Sequence, residues 1–308
     1  MISYGGLLQK LKSRQLTKTA LAAQLGISSR TIAKIGRGER IADHVLVRIA
    51  AFLDCTPEEL CRSVSGSALL RTLRDEKQIR MPGGLYHELQ IRMTYNSNHI
   101  EGSRLSEDQT RMIFETNTVG GDAHVDDIIE TVNHFRAMDY CIDCAEEPLT
   151  EEIIKKLHEL LKSRTSDELL PYFRVGDYKE RPNMVGGVET TPPQEVAAAM
   201  RRLLDRYQAK EKIAFEDIVD FHYHFERIHP FQDGNGRVGR LIAFKECLKY
   251  NIVPFIIEDT KKAFYYRGLK EYERERGYLV DTCYDGQDTM RRLLDFFQIF
   301  GHSFEEST

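Results

Sequence analysis

Nothing in this 308-residue sequence has the make-up of a membrane segment, because no stretch approaches the ~20 apolar residues that a spanning helix needs. The first ten residues, Met1 to Lys10, also lack the apolar core of a secretory signal. The cytoplasm is therefore the expected compartment, and no membrane partner is expected. Cysteines are few, six in all, and only Cys141 and Cys144 have the spacing of metal ligands. Without a second pair there is no four-ligand zinc site, and the two read as reduced, packed thiols. Internal repeats and low-complexity tracts are missing as well. What is there, 41% hydrophobic and 30% charged residues, is the balance of a folded globular chain long enough for two domains.

Charge divides the chain. Residues 1–63 carry ten Lys/Arg against five Asp/Glu, while the remainder is acidic by ten. A basic head on an acidic body predicts two domains with different partners, the head facing an anion. The head reads as short helices, with apolar stripes at Leu7, Leu8 and Leu11, then Leu21, Leu25 and Ile27, then Ile32 and Ile35, then Leu46, Ile49, Ala50 and Leu53. Thr17 and Thr19 are candidate N-caps, and Gly26 sits where a turn must end the helix. Residues 64–68 read as a Ser/Gly linker.

The run from Thr19 to Lys34, with Leu21, Ala22, Leu25, Gly26, Ile27, Thr31 and Ile32 in place, resembles the lambda-repressor-like helix-turn-helix. That resemblance implies a second helix whose first side chains, Ser28, Ser29, Arg30 and Lys34, meet DNA. A helical domain kept for protein contacts is the alternative. Palindromic operators would favour a homodimer.

From residue 69 to 308 the chain is mostly helical by period. Apolar residues recur at helical steps in 86–99, 105–116, 125–145, 150–163, 194–208, 214–228, 236–250 and 261–276. The exception is Pro171 to Thr191, where glycines and a proline punctuate short apolar runs and predict a hairpin. The fold class is all-α, a helical core with a small β-hairpin flap behind a helix-turn-helix domain.

The chemistry lies in His229-Pro-Phe-Gln-Asp-Gly-Asn-Gly-Arg-Val-Gly-Arg240. A helix leads into it and another begins within it, so its Gly-rich turn sits at a helix N-terminus that favours an anion. Arg237 and Arg240, three apart, suit phosphate oxygens. Asp233 offers a hard oxygen for Mg²⁺, and His229 is a candidate general base. Gly234-x-Gly236-x-x-Gly239 also fits a dinucleotide fingerprint, but a helix and not a strand precedes it. His222 and His224 point apart on their helix and make no ligand pair with His229.

The string matches the Fic motif H-P-F-x-[DE]-G-N-G-R-x-x-R at every fixed position, and the resemblance runs over roughly residues 85–280. It implies a protein adenylyltransferase with ATP as substrate and Mg²⁺ as cofactor. In that reading His229 deprotonates a target Ser, Thr or Tyr hydroxyl and Asp233 holds the metal. Gly234, Asn235 and Gly236 line the anion hole, Arg237 binds the leaving phosphates and Arg240 the γ-phosphate. A glycine at 236 favours AMP transfer over the kinase chemistry of the Doc branch, which has lysine there. Ser97-Asn-His-Ile-Glu101-Gly102 resembles the family's inhibitory motif on a helix around 86–102. It implies that Glu101 pairs with Arg240 and blocks productive ATP binding. Removal of AMP from targets and self-modification stay open, as does transfer of UMP or GMP. A different class of function, a transcription regulator whose Fic domain senses nucleotide, is the alternative.

Overall fold

The computed structural model of the chain describes residues 2–4, 7, 10, 11, 14, 16–36, 41–60, 62, 63 and 68–299. Two compact units emerge, Met1–Gly66 and Ser67–Thr308. Leu8, most of the 64–68 linker and residues 300–308 lie outside the described residues.

In the first unit, α1 (Lys18–Leu25) starts at Thr17, whose side-chain oxygen accepts from the Ala20 N–H at 3.0 Å. Thr19 lies inside the helix and caps nothing, because the cap must sit outside the first turn to reach its free N–H groups. Gly26 ends α1 at φ 59, a left-handed conformation that glycine adopts without penalty. After it come α2 (Ser29–Gly36), α3 (Asp43–Phe52) and the single turn α4 (Pro57–Leu60). Leu7, Leu11, Leu21, Ile35, Ile41, Ile49, Leu53 and Leu60 form the core, with Leu25, Ile27, Ile32 and Leu46 packed against it. β1 (Ile2–Ser3) pairs antiparallel with β2 (Arg62–Ser63), a ladder too short to leave any alternation in the sequence.

The second unit is a helical assembly of α5 (Ala68–Ile79), α6 (Leu85–Ile100), α7 (Glu107–Thr116), α8 (Val125–Asp143), α9 (Glu151–Lys162), α10 (Pro193–Gln208), α11 (Phe215–Ile228), α12 (Asn235–Lys249), α13 (Lys262–Glu271) and α14 (Gly277–Phe296). Its only described strands are β3 (Met184–Val185) and β4 (Val188–Glu189), an antiparallel hairpin turned by Gly186 and Gly187 at φ 56 and 80. The hairpin is much narrower than the 171–191 expectation, whose earlier part is turns. The order is thus all-α with a small flap.

α12 is the axis. Val238, Leu241, Ile242, Phe244, Cys247 and Leu248 bury it on every side against α6, α8, α9 and α11. Such a helix has no polar face to show a period. Thr150 caps α9, and Ser106 caps α7 in a reciprocal capping box with Gln109. Cys141 and Cys144 are buried free thiols, with Cys141 driven up by burial. Among the described residues no helix is long and apolar enough to cross a membrane.

Two helices depart from expectation. α5 buries Leu69, Leu70 and Leu73 but is otherwise charged, so its period is weak. α14 places Gly286 and Gln287 on its buried face beside Leu279, Cys283 and Met290, which breaks an apolar pattern. Gly286 lets the Ile256 backbone approach, and its carbonyl accepts from the Ile256 N–H at 3.1 Å. α13 and α14 meet closely at Gly268, where a Cβ would stand 2.7 Å from the Leu279 Cα. Backbone cannot yield as a side chain can. Gly268→Ala should therefore cost about 1–3 kcal/mol, read as a lower denaturation midpoint of this unit with unchanged helical circular dichroism.

Candidate active site

α11 ends at His229, which closes the helix in a left-handed conformation (φ 51, ψ 62) while its N–H donates to the Phe225 carbonyl at 2.9 Å. Gly234, left-handed at φ 78, is the N-cap of α12. Between these two reversals lies a loop fixed from within. Asn235 Oδ1 accepts from the Phe231 N–H at 2.8 Å, and its Nδ2 donates to the Phe231 carbonyl at 2.9 Å. The Asn235 side chain thus clamps the loop, which leaves its backbone N–H at the helix start as the group free for an anion. Phe231 is wholly buried and stacks on His158 with ring centroids 3.9 Å apart. His158 Nδ1 accepts from the Gly176 N–H at 2.9 Å, so Nε2 carries the proton and donates to the Asp233 carbonyl at 3.2 Å. Burial pushes this ring down to about 3, consistent with a neutral tautomer.

The flap is tied to the same loop. The Lys179 N–H donates to the Pro230 carbonyl at 2.9 Å, and Asn183 Nδ2 donates to the Phe231 carbonyl at 3.3 Å. Lys179 in turn donates to Asn183 Oδ1 and Thr190 Oγ1. Val185 and Val188 of the flap, with Tyr266 and Leu269 of α13, wall a cavity of about 550 Å³ that opens on His229, Glu226, Glu101 and Gly236. Burial, then the charge of Lys179, lowers His229 to about 4, so the ring is neutral at neutral pH, with a nitrogen lone pair free to accept a proton.

A charge network underlies the loop. Lys162, 1% exposed, donates to Glu130 at 2.5 Å and to Asp233 Oδ2 at 2.8 Å, and pairs with Asp167 at 2.5 Å. Arg237 pairs with Glu130 and reaches Asp233 Oδ2 at 3.3 Å. Burial alone would raise Asp233, but Lys162 and Arg237 hold its carboxyl well below the usual range. About half of the Asp233 side chain (53%) remains exposed beside the α12 N-terminus, so an ionised, hard oxygen donor fits a divalent cation there. Glu130, Asp167 and Asp233 gather their oxygens within 4.8 Å of one another, with Lys162 already paired to all three.

Arg240 is fully engaged elsewhere. Its Nε donates to Ser97 Oγ at 3.0 Å, and its Nη2 donates to the Ser97 carbonyl at 2.9 Å and to Glu101 Oε1 at 2.7 Å. Burial works against its charge, and Glu101 beside it more than offsets that, keeping Arg240 protonated. Glu101 sits over Gly236, where a Cβ would come within 2.1 Å of Glu101 Oε1. Of the other histidines, His222 bonds Tyr265 Oη at 2.7 Å in the core and His224 faces Asp220, so neither joins His229.

Of the residues singled out, Glu101, His229 and Gly236 line one cavity, and Arg240 and Ser97 adjoin it through the Arg240–Glu101 pair. Glu226 on the cavity wall, and Lys162 and Glu130 beneath the loop, were not singled out. Glu226 lies only three residues before His229, a spacing that puts it one turn back on the same helix face. In the first unit, Ser28 Oγ accepts from the Thr31 N–H at 3.2 Å and caps α2, Arg30 is exposed and Lys34 half-buried. The Ser29 side chain lies outside the described residues.

Residues 148–246 match the Fic/DOC family model, and residues 7–64 match a Cro/C1-type HTH DNA-binding domain. Curated relatives called protein adenylyltransferase Fic include those of Drosophila erecta, 31% identical over 180 residues, and Drosophila melanogaster, 30% identical over 180 residues. Each alignment covers 57% of this chain and 36% of the relative, so the chain spans about a third of their length. Among solved structures, a Fic domain containing signaling protein from Bacteroides thetaiotaomicron aligns with TM-score 0.62 at 24% identity, over 78% of this chain and 99% of that one. Fic-1 from C. elegans aligns with TM-score 0.57 at 18% identity, over 94% of this chain and 83% of that one. The chain carries a Fic domain preceded by a Cro/C1-type helix-turn-helix domain.

Proposed function

We propose that this chain is a protein adenylyltransferase held in check by its own Glu101, with a DNA-binding head at 1–63, a linker at 64–68 and the catalytic domain at 69–308. The observation that carries the reading is the pairing of buried Arg240 with Ser97 and with Glu101, the acid that lines the His229 cavity. A cation buried in the α12 helix, beside a helix N-terminus and a neutral histidine, has the chemistry of a triphosphate site.

In the working state ATP lies with its base between the flap valines and Tyr266, and its phosphates along the start of α12. The N–H groups of Asn235 and Gly236 face the phosphate oxygens, Arg237 takes the leaving phosphates and Arg240 the γ-phosphate. Asp233 would hold Mg²⁺, which would supply neutralisation of phosphate charge. His229 takes the proton of a target hydroxyl as its oxygen bonds to the α-phosphorus and the bond to pyrophosphate breaks. A base that is neutral at neutral pH suits that task. Glu101 opposes it twice, by occupying Arg240 and by filling the space above Gly236. The relatives' name, adenylyltransferase, supports AMP as the transferred group.

The head would bind DNA through Arg30, Lys34 and the start of α2, with Ser28 and Ser29 nearest the backbone, as a homodimer on a palindromic site. Arg30→Ala together with Lys34→Ala should weaken binding to operator DNA and flatten the slope of log K against log salt by about two, measured by fluorescence anisotropy. An unchanged slope would remove these side chains from the interface.

Glu101→Gly should raise transfer of α-labelled AMP onto protein by about 10–100-fold, since it frees a cation of the kind that stabilises transferring phosphates. His229→Asn in that background should abolish labelling. Asparagine tolerates the left-handed backbone at this position better than alanine, so the fold is kept. Labelling that does not rise in the Glu101 variant would end the brake reading.

A further inference from the structure

Glu226 is the one acid on the cavity wall that the preceding mechanism leaves unused. It sits one turn before His229 on α11, with its Oε2 at 4.0 Å from His229 Nδ1. Oε1 of Glu226 is buried with no hydrogen bond among the described residues, and the buried Nδ1 of His229 has none of good geometry, although the Glu226 backbone carbonyl acts to raise its ring. Space for the carboxyl is made by α12, where a Cβ on Gly239 would stand 2.8 Å from Glu226 Oε1. A buried base with an unpaired ring nitrogen and a buried acid with an unpaired oxygen, one turn apart, are a pair that a small side-chain rotation joins.

We propose that Glu226 is a positioning residue for His229, its carboxylate holding the ring with Nδ1–H turned inward and Nε2 open to the cavity. The proposal rests on the reading of His229 as the base. An ionised partner fixes the tautomer in which Nε2 is the free acceptor and steadies the imidazolium that forms when the hydroxyl proton arrives. The proton stays on Nε2, and Glu226 does not take it up.

The same acid faces Glu101 from α6, Arg240 from α12, Tyr265 and Tyr266 from α13, and His222 on its own helix. Burial first, and then the charge of Glu101, push Glu226 up to about 8, with Arg240 pulling the other way. A neutral carboxyl donates to Nδ1 and leaves the proton on Nε2, the wrong nitrogen for a base. Glu101 thereby withholds the ionised partner of His229 as well as Arg240. The sign follows: Glu226 serves only above its own ionisation, so turnover rises with pH through it. Removing the Glu101 charge moves that rise to lower pH.

The test compares the full chain carrying Glu101→Gly with the same chain carrying Glu226→Gln as well, a change that keeps shape and removes ionisation. Both are checked for equal thermal midpoints. The second substitution should lower kcat for AMP transfer by about 100-fold, leave KM for ATP unchanged and erase the rise of kcat with pH. In ¹⁵N-histidine spectra of both proteins, assigned with His229→Asn, the His229 ring should titrate at lower pH once the carboxylate is gone. A His229 titration and pH profile unmoved by Glu226→Gln would overturn the proposal. The ring titration needs no turnover, so a Glu101→Gly chain without transferase activity would sink the adenylyltransferase reading while Glu226 and His229 were still judged by their spectra.

Discussion

The loop from His229 to Gly234 is the constraint on which everything else depends. The chain leaves one buried helix and enters another through two left-handed residues, His229 and Gly234. No regular element bridges them, so the geometry is held by side chains, the Asn235 clamp on Phe231 and the stack of Phe231 on His158. With those in place, His229 and Gly236 at the start of α12 line one cavity. Because the anchors are packed aromatic and amide groups in a dry interior, the loop arrives pre-shaped.

Charges are then laid around that loop in two separate groups. Below it, Lys162 and Arg237 hold Asp233 ionised, with Glu130 and Asp167 balancing them. Above it, Arg240 is matched by Glu101 alone among the carboxylates in contact with it. The lower group has several partners for each charge, and the loss of one leaves others. The upper pair has a single acid, which makes it the place where one side-chain movement alters the electrostatics of the cavity. Buried pairs of this kind contribute little net stability, and breaking one exposes a strong uncompensated charge.

How much of this was legible in the sequence depends on where the information lay. His229 through Arg240 stand in one short string whose residue types point to phosphate chemistry, and Ser97 with Glu101 stand in another that was marked by its resemblance to the family's inhibitory motif. The helices α6 to α11 had apolar periods or a cap such as Ser106 or Thr150, whereas α12 was marked by the apolar residues that follow the Gly-rich turn. Lys162, Glu130 and Asp167 were out of reach because they come from different helices, and an ordinary Lys or Glu on an amphipathic helix carries no mark of burial. Glu226 was concealed for another reason, since a single acid on a helix face looks solvated until Gly239 is seen to make its pocket. α14 was missed because its buried face carries a glycine and a glutamine where the period asks for apolar groups. Asn235, expected to line the anion hole, opens α12 and turns its side chain onto the backbone of Phe231 in the loop.

Gly236 is shared property. The volume that a methyl group would fill at this position is already taken by a carboxylate oxygen of Glu101, and the same position offers its N–H at the opening of α12. Any larger residue there would displace the acid and crowd the opening of α12 in one stroke. Under the proposed function, brake and chemistry could then not be altered independently at this position, and control could be loosened without harm to turnover only from the Glu101 side. The bare α-carbon thus ties together two properties that a sequence comparison would treat as separate.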